Sequence, residues 1–318
     1  VPFGILCIAM VVRFFDERVE RHPHRIDYAG SFLLAAGTGT LMFVLVMAGN
    51  LRGSIAIALS ALAAILIGAL IAHELRAAEP MMPLRLFRIR VIGVANAANF
   101  AIGAMMMGIT AFLPTYVQGA MGLSAVVAGA TLGVTSAAWT LGALIASRYL
   151  AHVTFRATAL TGGALLVAGS VLLIMLQPSS TLWLAIAGAA LIGAGFGYVN
   201  IVFVVTTQAA VGWEQRGAVT ASNLFMRQLG QAIGTAAFGA VFNLGLYARI
   251  PNAGDVATRM MDPRTRSQLP AFDVERYAAA IGASLHSIYI VTGVLGAIIL
   301  LLTLALPAKH RAGDPTPP

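Results

Sequence analysis

Stretches of about 20 predominantly apolar residues recur along this chain, and that is the length an α-helix needs to cross the hydrocarbon core of a bilayer. The runs fall near 30–49, 54–73, 91–116, 125–147, 158–176, 181–206, 217–245 and 285–307, and a shorter apolar run over 1–12 precedes them. Eight complete spans and one partial span predict an all-α polytopic transmembrane helical bundle, since a backbone in lipid must satisfy its own hydrogen bonds and helices do so within each segment. Composition agrees: with 59% hydrophobic and 10% charged residues, a soluble globule of this chain would lack the polar atoms to cover its surface. The lipid bilayer is therefore its principal surroundings.

The net charge of +8 comes almost wholly from arginine. These arginines sit in short blocks between apolar runs, which is the pattern of topology determination and not of nucleic-acid binding. Counted alternately, one side receives Arg13, Arg18, Arg21 and Arg25, then Arg76, Arg85, Arg88 and Arg90, then Arg148, Arg156 and Arg216, and finally Lys309 and Arg311. The opposite short loops hold only Arg52, so the basic side and the C-terminal tail are expected in the cytoplasm, with the protein in the inner membrane. A long polar connection is expected over 246–284 on the outer side. Cys7 is the one cysteine, which leaves no intrachain disulfide and no cysteine-based metal site. Arg13 and Arg18 follow the first apolar run instead of preceding it, which suits a truncated span better than a secretory signal.

Several motifs occur in a telling order. Asp27, Gly30 and Leu33 form a D-x-x-G-x-x-L pattern, Leu113 to Gln118 read L-P-T-Y-V-Q, and Gly193, Gly195 and Gly197 precede Arg216, Asn223, Arg227, Gly230 and Gly234. In this order the chain resembles the 14-span drug:proton antiporters of the major facilitator superfamily, from the end of their sixth span onward, with Pro2 and Gly4 matching the close of an Asn-x-Pro-x-Gly element. The resemblance implies the C-terminal half of a major facilitator fold plus two extra spans. Its segments would be a truncated sixth span over 1–15, a cytoplasmic loop over 16–29, two spans between the halves over 30–73 and a cytoplasmic linker over 74–90. A six-helix transport half over 91–307 and a tail over 308–318 would follow. The family's gating element has its echo at Gly142 to Arg148, with Ser147 where an aspartate would sit.

Arg227 is the residue that most invites a function. Ten positions beyond Gly217, it reaches roughly mid-membrane at about 1.5 Å per residue, where an arginine is expensive unless it faces water or a partner. Asn223, Arg227, Gly230 and Gln231 share one helical side and predict a polar stripe. The alternative is that the helix protrudes and Arg227 snorkels to lipid phosphates. Asn96, Asn99 and Phe100, then Trp139 with Thr135 and Ser136, then Tyr198, Asn200 and Phe203 are candidates for a substrate cavity; for the amides the alternative is bonding between helices. The glycine pairs Gly129/Gly133, Gly193/Gly197 and Gly230/Gly234, each four apart, predict backbone-to-backbone helix packing.

No His pair has metal-ligand spacing within one element, so no metal and no cofactor is expected. Every Asp and Glu falls in a loop, at a span edge or in a terminal segment, which argues against an intramembrane enzyme. The same distribution leaves no titratable group deep in a span. By resemblance, then, the acid that couples transport to protons would lie in an N-terminal half. The sequence therefore reads as part of an exporter whose partners are a small-molecule substrate, protons and lipid. A transport-incompetent remnant or an interaction partner is the competing reading.

Overall fold

The computed structural model describes residues 2–14, 27–47, 52–77, 84–250 and 256–306. Arg18, Arg21, Arg25, Pro80, Pro83, Lys309, Arg311 and the 308–318 tail lie outside the described residues, as does the side chain of Cys7. Apart from short turns the description is helical: α1 Pro2–Phe14, α2 Tyr28–Met47, α3 Gly53–Glu74, α4 Arg90–Thr110, α5 Phe112–Thr115, α6 Ala125–Tyr149, α7 Phe155–Ile174, α8 Leu182–Ala209, α9 Arg216–Tyr247, α10 Val256–Met261, α11 Pro263–Arg266 and α12 Ala271–Leu304. Among the described residues, seven helical stretches have the length and apolar composition to cross a membrane; α2 adds an apolar helix of 20 residues. The chain is an all-α, multi-pass membrane protein.

Local chemistry sets the helix starts. Ser124 accepts from the Val127 N–H at the head of α6, Thr154 accepts from the Ala157 N–H at the head of α7, and Asp27 accepts from the Gly30 N–H at 2.8 Å at the head of α2. Each satisfies a donor that the first helical turn leaves open. Inside the helices the buried hydroxyls of Thr131, Thr135, Ser170, Thr206, Thr207, Ser284 and Thr292 bond to a carbonyl one turn back. In hydrocarbon that is how a small polar side chain avoids an unmet donor.

Glycine decides which helices touch. A Cβ built on Gly193 would press into the Thr135 carbonyl, and one on Gly197 into the Trp139 carbonyl, so α8 lies directly on α6. A Cβ on Gly230 would press into the Phe100 carbonyl, one on Gly103 into the Arg227 carbonyl, and one on Gly234 would stand 2.7 Å from Ala104 Cα. This brings α4 and α9 together backbone against backbone. Gly129 and Gly133 differ: nothing lies within 4 Å of either, and their side of α6 is exposed. The expected close packing is present at two of the three pairs; at Gly129/Gly133 no atom of the described residues comes within 4 Å.

The remaining contacts complete the bundle: α7 packs on α8 and α12, α12 also on α4 and α9, and α2 on α3 and α9. Large apolar side chains such as Phe32, Ile57, Ile65 and Leu141 stay exposed, as a lipid-facing surface requires. Over 246–284 the structure corrects the sequence reading. Rather than one polar connection, this stretch holds the end of α9, the short helices α10 and α11, and the first turns of α12. The 34 residues of α12 span roughly 50 Å at about 1.5 Å each, against a hydrocarbon core of about 30 Å, so its charged head with Asp273, Glu275 and Arg276 projects beyond the apolar part. Hydropathy alone cannot detect such an extension.

Candidate functional site

The antiparallel pair α8 and α9 carries a ladder of polar side chains running inward from the basic end of the bundle. On α9, positions 216, 220, 223 and 227 are spaced four, three and four, which keeps Arg216, Thr220, Asn223 and Arg227 on one face. On α8 the partners are Gln208, Thr207 and Asn200, met in descending order because the helices run in opposite directions. Gln208 Nε2 donates to Thr220 Oγ1 at 3.0 Å, Asn223 Nδ2 to Thr207 Oγ1 at 2.9 Å, and Arg227 Nη1 to Asn200 Oδ1 at 2.9 Å. The two threonine hydroxyls donate elsewhere, Thr220 to the Arg216 carbonyl and Thr207 to that of Phe203, so each is free to accept across the seam.

Depth gives the ladder its meaning. Arg227 lies eleven residues beyond Arg216, about 16 Å along the helix, inside a stretch apolar enough to cross a membrane. A guanidinium at the centre of a membrane helix costs about 2.5–3.5 kcal/mol on insertion scales unless it meets water or a partner. Its partner here is a neutral amide, and among the described residues neither Arg216 nor Arg227 pairs with a carboxylate. Asn223 Oδ1 is buried without a hydrogen-bond partner.

At the foot of the ladder a recess of about 690 Å³ opens between the ends of α8 and α9, lined by Gln208, Trp213, Arg216, Gly217, Thr220, Ala221 and Leu224. The Arg216 guanidinium sits over the exposed Trp213 ring at 5.4 Å. The recess ends at Leu224, one helical turn short of Arg227.

The structure thus gathers Asn200, Asn223 and Arg227 from the expected candidates and places the others elsewhere. Asn96 is buried, bonds the Ile92 carbonyl and exchanges a 3.3 Å bond with Ser222. Asn99 is buried with its amide on the Ala95 carbonyl. Phe100 offers its backbone to the Gly230 seam, Trp139 packs on Phe196 at 5.3 Å, and Tyr198 faces Gly162 on α7. Thr135 and Phe203 are buried, so they too lie away from the recess. Thr207, Gln208, Trp213 and Thr220 were not among the candidates. The spacing of Arg216, Thr220, Asn223 and Arg227 was the signal that would have found the α9 part.

A second polar cluster joins α2 to α3. His73 Nε2 lies 2.8 and 3.1 Å from the two carboxylate oxygens of Asp27, and a Cβ on Gly30 would press into that carboxylate and come within 3.1 Å of Glu74 Oε1. The D-x-x-G pair is thus a helix cap with no room for a methyl group. The Gly30 N–H and then the His73 imidazole hold the Asp27 carboxyl below its usual range. Leu33 is half-buried. Among the described residues no three of His, Cys, Asp or Glu gather as a metal site would require.

The sequence is similar to known proteins of one superfamily. The sequence profile of the Major Facilitator Superfamily matches residues 1–235. Multidrug transporter protein MdtP of Bacillus subtilis is 28% identical over 245 residues, covering 76% of this chain and 45% of that protein. Multidrug resistance protein 3 of the same organism is 25% identical over 330 residues, covering 98% of this chain and 64% of the relative. The chain therefore spans about half to two thirds of the length of these relatives. Among solved structures, a bacterial homolog of the human lysosomal transporter Spinster aligns over 87% of this chain and 64% of its own, with a TM-score of 0.48 at 16% identity.

Proposed function

The chain belongs to the Major Facilitator Superfamily, and on that premise we propose that it forms the C-terminal part of a 14-span exporter of drugs or amphipathic small molecules. Residues 91–307 are one six-helix half, rocking against a second half around a midplane site, and α2 and α3 are the extra pair between halves. The basic loops and the C-terminus face the cytoplasm of the inner membrane. The observation that carries the reading is the α8–α9 ladder: an arginine near mid-membrane, held by Asn200, at the head of a polar face that begins in an open recess. A structural helix pair has no need of a cation at that depth.

Transport is driven by protons, with the coupling acid supplied by sequence beyond this chain. Support for that division of labour comes from the acids described: Asp27, Glu74, Glu214, Asp262, Asp273 and Glu275 all lie at helix ends, in turns or in the projecting head of α12. The test is efflux by cells expressing the longer protein with Arg227→Ala. We expect normal insertion with efflux lowered at least about tenfold, the scale of one lost charge-assisted contact. Wild-type efflux would return Arg227 to a snorkelling role.

A further inference from the structure

Arg216 and Arg227 lie on one face of α9, and every side-chain partner the ladder gives them is neutral: an aromatic ring for Arg216 and an amide oxygen for Arg227. Between them Thr220 and Asn223 continue the same face, the first lining the recess and the second holding a buried carbonyl oxygen without a partner. Glu214, the acid closest in sequence, is exposed on the turn before α9 and does not line the recess. The face is therefore cationic from Arg216 at the recess to Arg227, and no anion among the described residues neutralises it.

We propose, resting on the transporter reading above, that this face selects amphipathic organic anions: molecules with a carboxylate, sulfonate or similar group and an apolar body. The anionic group enters over Arg216, while the apolar body lies against Trp213, Ala221 and Leu224. One turn further in, the anionic group reaches Arg227, whose guanidinium fork uses a single N–H on Asn200 and keeps others for a bidentate contact. A cationic amphiphile meets two like charges along the same path and is disfavoured. Arg227 acts here as a specificity-determining residue, and Asn200 holds its fork in place without neutralising it.

The test uses residues 1–318 in phosphatidylcholine nanodiscs and three probes that share one fluorophore and differ in charge: dansylglycine, dansylamide and dansylcadaverine. The anion is expected to bind at least about tenfold tighter than the cation, with the neutral amide between them. Arg227→Gln should shrink that preference to about twofold, and Arg227→Lys should restore part of it. Asn200→Asp leaves the arginine in place but gives it an internal carboxylate, and should also abolish the preference. It guards against a loss that merely reflects misfolding. Equal binding of all three probes, preference for the cation, or variants that leave the preference unchanged would each overturn the proposal, yet leave the transporter reading standing because an amphiphile site exists. Failure of the folded chain to bind any of the three removes the proposal, while efflux by the longer protein decides the transporter reading separately. Short-chain phosphatidylglycerol is titrated against bound dansylglycine: displacement only well above the probe's own concentration range keeps the occupant a soluble anion, and displacement below it makes the occupant a lipid headgroup, against the proposal.

Discussion

Substituting alanine at Gly230 should destabilise the bundle strongly, whereas the same change at Gly129 should not. At Gly230 the added methyl would press into the Phe100 carbonyl oxygen, with the carbonyl carbon at 2.8 Å and Phe100 Cα at 3.0 Å. Carbon atoms pack comfortably at about 3.5–4.0 Å, so α9 must retreat from α4 by on the order of 1 Å. The obstruction is backbone, and no change of rotamer relieves it. The retreat also loosens the turns on either side, where Gly103 faces the Arg227 carbonyl and Gly234 faces Ala104. Overpacking of this kind costs about 1–3 kcal/mol, and an obstruction by backbone points to the upper end. A loss of about 3 kcal/mol lowers the folded-to-unfolded ratio roughly a hundredfold. At Gly129 the methyl meets nothing within 4 Å, and alanine is the better helix former by up to about 1 kcal/mol. The assay is thermal unfolding of the purified chain in detergent, followed by tryptophan fluorescence, with Gly230→Ala, Gly230→Leu and Gly129→Ala compared in one series. The expected order is Gly230→Leu least stable, then Gly230→Ala, with Gly129→Ala at or above the unsubstituted chain. If Gly230→Ala melts with the unsubstituted chain, or Gly129→Ala falls as far, the close α4–α9 seam is refuted.

Topology is testable by single cysteines in a Cys7→Ser background: one at Ser267 should label from outside intact cells and one at His152 only after permeabilisation, and the reverse pattern would overturn the assigned orientation. Because Asp27 is held below the usual carboxylate range, its contribution to stability is complete above the ordinary pKa of an unfolded aspartate and is lost as pH falls through the lower folded pKa; Asp27→Asn should remove this acid dependence from thermal unfolding followed across that range, and an unchanged pH profile would count against the α2–α3 cap. Arg266 donates to the carbonyls of Gln118, Gly119 and Met260 at 2.9, 3.2 and 3.3 Å and so ties the 256–266 helices to the end of the α4–α5 stretch. Arg266→Gln should speed proteolytic cleavage of that connection several-fold while leaving the bundle folded, and equal cleavage would show that the tie does not hold it.

The spans were legible in the sequence because their signal is local: a run of about twenty apolar residues must be helical in lipid whatever surrounds it. Where a helix leaves the membrane that logic lapses. The first turns of α12 carry Asp273, Glu275 and Arg276, charged residues that an apolar-run criterion leaves out, so hydropathy stopped near position 285. Glycine spacing was similarly half-informative. A pair four apart states that a close approach is possible, as at Gly193/Gly197 and Gly230/Gly234, but does not say which helix makes it, and at Gly129/Gly133 none of the described residues does.

The candidate site divides along the same line. The α9 half is written in its own periodicity, and the face bearing Asn223 and Arg227 can be read from one helix alone. The α8 half cannot, because Asn200, Thr207 and Gln208 are ordinary polar residues in an apolar run and acquire meaning only from the register in which the two helices meet. Conversely Asn96 and Asn99 had the spacing of a polar face, yet Asn96 is taken up by Ser222 and Asn99 by its own helix. A buried amide that finds its partner inside the bundle is finished with; Arg227, whose one partner among the described residues is a neutral oxygen, still has charge left to satisfy. Unspent charge at depth, more than polarity as such, is therefore what separates Arg227 from the other polar residues of these helices.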